Sequence, residues 1–103
     1  MHYILDNHTP VKVDVTSSEG MLKWGLNLEQ NKVVGQTEVK DVLISTVFLG
    51  VDHNHTGTGK PVLFETATKQ HDRWNVVDRC CTWDEAEVMH DKIVDVIRKE
   101  LGS

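Results

Sequence analysis

Little in this chain belongs to the kinds of residue that dominate specialised proteins. It has two cysteines, Cys80 and Cys81, and they are adjacent. That excludes the disulfide framework of a small secreted domain, and no second cysteine pair stands at zinc-binding spacing. In a reducing compartment the two are free thiols. Two prolines and seven glycines are too few for a fibrous or low-complexity chain. No stretch approaches the roughly 20 apolar residues of a membrane span, and Met1 to Asp6 has neither the positive region nor the apolar run of a secretory signal, so the expected location is cytoplasmic. Basic residues are scarce and scattered. Eleven Lys and Arg stand against sixteen Asp and Glu, a formal charge of −5, and Arg98-Lys99 is the one adjacent basic pair. A nucleic-acid backbone meets such a chain as a like charge, so direct nucleic-acid binding is not expected. The acidity suits solubility or a basic partner surface.

What is present is an ordinary globular composition, 39% hydrophobic and 26% charged over 103 residues, enough for one domain over residues 1–103 with one core. Tyr3-Ile4-Leu5 and Val11 to Val15 read as short strands around the turn formers Asp6 to Pro10. Thr16-Ser17-Ser18 offers N-caps for a helix to about Gln30, with Met21, Trp24 and Leu28 along one stripe. Gly20 and Gly25 weaken that helix, each by up to ~1 kcal/mol relative to alanine. Strands follow over Val33 to Val39 and Val42 to Val51, joined tightly at Lys40-Asp41. The second is apolar at most positions, which predicts a central strand covered on both faces, by helices on one and a partner subunit on the other. A polar loop from Asp52 to Pro61 leads to a strand over Val62 to Thr68. A turn over Lys69 to Arg73 leads to a last strand, Trp74 to Arg79. Thr82-Trp83-Asp84-Glu85 fits a capping box and opens a helix with Ala86, Met89 or His90, Ile93, Ile97 and Leu101 on its buried stripe, stopped by Gly102. The pattern predicts an α+β fold: a four- or five-stranded, mainly antiparallel sheet with two helices, the C-terminal helix on one face. Dimerisation through the other face is the matching expectation.

The blocks Ser45-Thr46-Val47-Phe48-Leu49-Gly50-Val51-Asp52-His53, Phe64-Glu65-Thr66 and Thr82-Trp83-Asp84-Glu85-Ala86-Glu87 with His90 resemble, in order and spacing, a family of small proteins encoded by tailed phages and prophages. The resemblance implies a phage accessory protein working in the host cytoplasm, and by analogy one that interferes with host defence, by binding a host protein or by sequestering a signalling nucleotide. It brings no reaction with it.

Several residues could carry chemistry. His53 and His55 form an HxH beside Asp52 and, with Glu65 from the next strand, could hold a divalent metal; the alternative is a polar loop capping its own backbone. Glu65 interrupts an apolar strand and His90 lies on a buried helix stripe. With His53 they could converge where helix meets sheet, as an acid–base set or a polar ligand site; the alternative for His90 is a hydrogen-bonded core histidine. Gly57, Gly59 and Lys60 lack the serine or threonine and the helix of a Walker loop, but their amides and ammonium could cradle one phosphate of a small nucleotide. His71-Asp72 reads as turn chemistry. Cys80 or Cys81 with a histidine would lack an oxyanion hole, and a core position is preferred for both. No obligatory cofactor is expected. The balance favours a non-catalytic binding protein, with a small metal- or histidine-dependent enzyme using His53, Glu65 and His90 as the alternative.

Overall fold

The computed structural model describes residues 1–54, 56 and 58–102, Asn31 by its backbone alone. The first two strands, β1 (His2–Asp6) and β2 (Thr9–Val13), pair antiparallel with Asp6 opposite Thr9. Between them Asn7 takes φ 57°, a left-handed conformation that its short polar side chain tolerates. The second strand stops two residues before Val15. Asp14 accepts from both the amide and the hydroxyl of Thr16 (2.9 and 2.6 Å), and this local turn competes with the ladder.

Ser17 caps α1 (Ser18–Asn31), its hydroxyl accepting from the Gly20 amide at 3.0 Å. Gly20 is required rather than merely tolerated, because a Cβ there would overlap the Asp14 backbone carbonyl. One side of the helix is tied to its surroundings by side chains. The Trp24 indole donates to the Gly50 carbonyl at 3.0 Å, and the Asn27 amide pairs with both backbone groups of Leu5 (2.8 and 2.9 Å), as a neighbouring strand would. Gly50 itself has φ 74°, and any Cβ there would meet Leu28 at 2.7 Å.

The remaining strands, β3 (Val33–Val39), β4 (Val42–Phe48), β5 (Phe64–Gln70) and β6 (Arg73–Cys80), form an antiparallel meander in that spatial order. The β5–β6 turn is shorter than expected. Only His71 and Asp72 lie outside the strands, at φ 54° and 61°, the pair of left-handed residues that a tight hairpin turn demands. A bulge between Thr66 and Ala67 in the β5–β6 register leaves Val77 as the extra residue of β6.

The capping box of α2 (Trp83–Glu100) is complete, Thr82 and Glu85 each accepting from the other's backbone. At the far end Lys40 donates to the Leu101 carbonyl at 2.6 Å, and Gly102 leaves the helix at φ 71°. The helix buries Ala86, Met89, His90 and Val94. It covers the sheet face that carries Val42, Ile44, Thr46 and Phe48, and there two apolar clusters form. One gathers Tyr3, Leu5, Phe48, Leu63, Phe64 and Ala86, the other Val39, Val42, Ile44 and Val94. Fully burying each such side chain is worth about 1.5–3 kcal/mol.

On the second face of β4 Ser45 is buried, whereas Leu43 and Val47 are only half-buried, and the last turn of α1 borders Val47 at one end. The α+β class, the antiparallel sheet and the packing of the C-terminal helix on one face agree with the sequence reading.

Candidate functional site

His90 occupies the helix–sheet interface, between the two apolar clusters. Its Nδ1 lies 2.7 Å from the Thr46 hydroxyl and its Nε2 lies 2.8 Å from that of Thr37. Thr46 in turn shares a short hydrogen bond with Thr66. A neutral imidazole has one donor and one acceptor nitrogen, and a threonine hydroxyl can serve either, so both tautomers are fully satisfied. Burial lowers the pKa of His90, opposed by the nearby Asp91 carboxylate. The ring lies along Gly35, where a Cβ would already touch it at 3.4 Å. The chain Thr37–His90–Thr46–Thr66 thus ties α2 to β3, β4 and β5 by polar contacts inside the core.

Glu65 is on the other side of the sheet. Thr66 faces α2, and successive residues of a strand point to opposite faces. Glu65 therefore points away and accepts from the Arg79 guanidinium at 3.1 Å. The structure does not bring Glu65 and His90 together; the sheet separates them. His53 is at neither place. It follows β4 in the connecting loop, its amide donating to the Val62 carbonyl at 2.9 Å.

That loop is organised by its own polar groups. Asp52 accepts from the amides of Asn54 and Val62 (2.8 and 2.9 Å). Asn54 donates to the carbonyls of Thr58 and Lys60 and accepts from the amide and hydroxyl of Thr56. The amides of Asn54, Thr56, Thr58 and Val62 thus point at oxygens of the loop itself. Gly59 takes φ 84° at the bend. His55 of the metal reading and Gly57 of the phosphate reading lie outside the described residues. Among the described residues no group of three His, Cys, Asp or Glu side chains could hold a metal ion.

Both cysteines are protonated thiols at neutral pH. Burial, reinforced by Glu85, pushes Cys80 up to about 11, and the same two causes raise Cys81.

The site that the sequence does not announce is a groove between β6 and α2. It has a volume of about 420 Å3 and is walled by Asp78, Arg79 and Cys80 on the strand and by Asp84, Glu85, Val88, Met89 and Lys92 on the helix. β6 pairs with β5 on one side only and is exposed almost throughout, so its outer backbone groups are available to a further strand. Val88, 58% exposed, offers an apolar foothold beside Met89. With Arg79 paired to Glu65 and Glu85 holding the capping box, Asp78 and Asp84 stand against Lys92. In the sequence Asp84 and Glu85 are fully explained by the helix N-terminus, and the groove becomes legible only when β6 is known to be an edge.

No protein-family model, curated protein or solved structure matches the chain. Among the described residues no helix is long and apolar enough to cross a membrane.

Proposed function

We propose that this chain is a non-catalytic binding protein that takes an extended, basic segment of a host protein along β6, in the groove beside α2, and so acts as a phage accessory protein against a host process. The observation that carries the reading is the groove: an unpaired strand edge, an apolar floor at Val88 and Met89, and a surplus of carboxylates on its walls. Backbone pairing to an edge strand supplies affinity, and side-chain pockets supply choice. The net charge of −5 draws a basic segment towards the molecule. The titratable groups that could have served catalysis are committed elsewhere: His90 to two threonines, Glu65 to Arg79, and both thiols to their protonated form. The phage setting rests on the resemblance of the Ser45–His53, Phe64–Thr66 and Thr82–Glu87 blocks.

The test is capture of host proteins from bacterial lysate by the tagged chain and by its Asp78→Lys/Val88→Arg variant, with hydrogen exchange on the recovered complex. A host protein retained by the wild-type chain, weakened at least ~tenfold by the variant, and protecting the β6 amides is expected. Equal retention by the variant overturns the reading. So does protection confined to residues 52–61, or a bound nucleotide mass in place of a protein.

A further inference from the structure

Two partly apolar surfaces of this chain lie uncovered. The first is the sheet face turned away from α2. Val47 opposes Glu65 in the β4–β5 ladder and Ala67 opposes Val76 in the β5–β6 ladder. With Val33 and Trp74, 50% and 52% exposed, and with Lys32, Gln36 and Ser45 on its polar side, these residues line a hollow of about 370 Å3. The second is the outer side of α1. Leu22 and Leu26, one turn apart, are 64% and 49% exposed, and a Cβ at Gly25 beside them would meet nothing within 4 Å. The inner side of the same helix is the one held by Trp24 and Asn27. Leu22 and Leu26 form a narrow apolar strip between the exposed Glu19, Lys23 and Glu29, and an exposed apolar strip on a helix, like an uncovered sheet face, calls for a cover.

Within one chain Leu22 and Leu26 do not reach the hollow; only the last turn of α1, at Leu28, Glu29 and Lys32, borders Val47 and Glu65. α1 passes into β3 without a loop, the Lys32 carbonyl accepting from the Phe48 amide at 2.7 Å. Its inner side is bound to β1, which bridges to Val51 just past the end of β4. The helix therefore extends the molecule beyond the sheet. The principal extents are 50 × 27 × 24 Å, whereas a seven-residue strand spans about 23 Å. The radius of gyration, 14.9 Å, exceeds the roughly 13 Å of a compact chain of this length. The accessible surface, 6744 Å2, exceeds by roughly 850 Å2 that of a folded monomer of this mass. One partner in a standard interface contributes about 800 Å2.

We infer that the occupant of both surfaces is a second copy of this chain: a two-fold dimer in which α1 of each copy lies across the open sheet face of the other, Leu22 and Leu26 entering the hollow beside Val47, Ala67, Trp74 and Val76. The helix, about 21 Å long for its 14 residues, matches the length of the strands it covers. Two-fold symmetry makes the contact twice. The groove between β6 and α2 opens on the opposite side of the sheet and stays accessible in both copies.

Sedimentation equilibrium tests the arrangement. The wild-type chain is expected at twice its 11.7 kDa mass. Leu26→Glu and Trp74→Glu should each raise the dimer dissociation constant at least ~tenfold. An equimolar mixture of the two variants should recover dimer, because one helix-on-sheet contact in the mixed pair is intact. These side chains are half-exposed in a single copy, so a charge there leaves the fold in place, as circular dichroism checks; Leu22→Lys and Val76→Lys replace any variant that unfolds. A single-chain mass for the wild type at high concentration overturns the inference. So does a dimer indifferent to the α1 substitution, or a mixture that fails to recover, which is the result for sheet-to-sheet pairing.

Discussion

Thr46 and His90 are separated by 44 positions in the chain and meet at 2.7 Å, hydroxyl against ring Nδ1, in the middle of the core. Apolar contacts fix a helix on a sheet only loosely in register, because neighbouring hydrophobic side chains are interchangeable. A hydrogen bond between two buried groups permits one alignment. Replacing His90 by leucine removes the ring that bonds the buried Thr46 hydroxyl and the half-buried Thr37 hydroxyl, and is expected to cost about 2–4 kcal/mol in urea denaturation. Thr46 keeps its bond to Thr66, so adding Thr46→Val and Thr66→Val together removes the remaining buried hydroxyls and should recover part of the loss. Simple additivity of the His90 and threonine costs would sink the network.

Acid should destabilise the fold through this same ring. Burial holds the folded pKa of His90 below its ordinary value, whereas the unfolded chain titrates near ~6.5. Above that pH both states are neutral and the full stability is present. As pH falls through it, the unfolded chain takes up a proton that the folded state refuses, so stability declines towards the folded pKa. Urea midpoints between about pH 7.5 and 5 should fall more steeply for the wild type than for His90→Gln. Parallel slopes would show that the ring titrates freely in the fold.

The tryptophans at 24 and 83 should respond differently to phenylalanine. Trp24 loses its hydrogen bond to the Gly50 carbonyl, which keeps the Tyr3 amide, and should cost roughly 0.5–1.5 kcal/mol beyond the packing change. The Trp83 indole stacks on His8 with ring centroids 3.8 Å apart and meets Phe64 edge-on, but its buried Nε1 has no hydrogen-bond partner among the described residues. Removing an unpaired buried donor offsets part of the lost contact, so Trp83→Phe should lower the thermal midpoint less than Trp24→Phe. The reverse ranking would show that the Trp83 donor is satisfied.

Thiol chemistry gives a fourth expectation. With Cys80 raised from 9.0 to about 11, its thiolate fraction at neutral pH is about a hundredfold below that of an ordinary cysteine, and Cys81 shifts the same way. Alkylation by iodoacetamide should be slow in the folded protein and reach the rate of a free thiol in urea. Fast modification of the folded chain would mean an activated cysteine at the groove.

Much of the fold was readable because its signals are local. The capping box at Thr82 and Glu85, the apolar stripe of α2, the strand pattern of Val33 to Phe48 and the turn formers around Asn7 act within a few residues of themselves. They determine which elements exist, and composition determines the charge. The candidate site was read less well. His90 is legible as a buried polar residue, but its two threonine partners come from β3 and β4, and Thr66 of β5 joins through Thr46. A carboxylate in an apolar strand suggests that Glu65 is buried beside it; the alternation of β5 turns Thr66 inward and Glu65 outward, towards Arg79. That phase depends on which face α2 covers, a contact between segments far apart in sequence. The same holds for the groove at β6 and for the outer side of α1. Whether a strand is an edge, or a helix has a second uncovered side, is decided by what packs against it, and only the assembled tertiary structure contains that information.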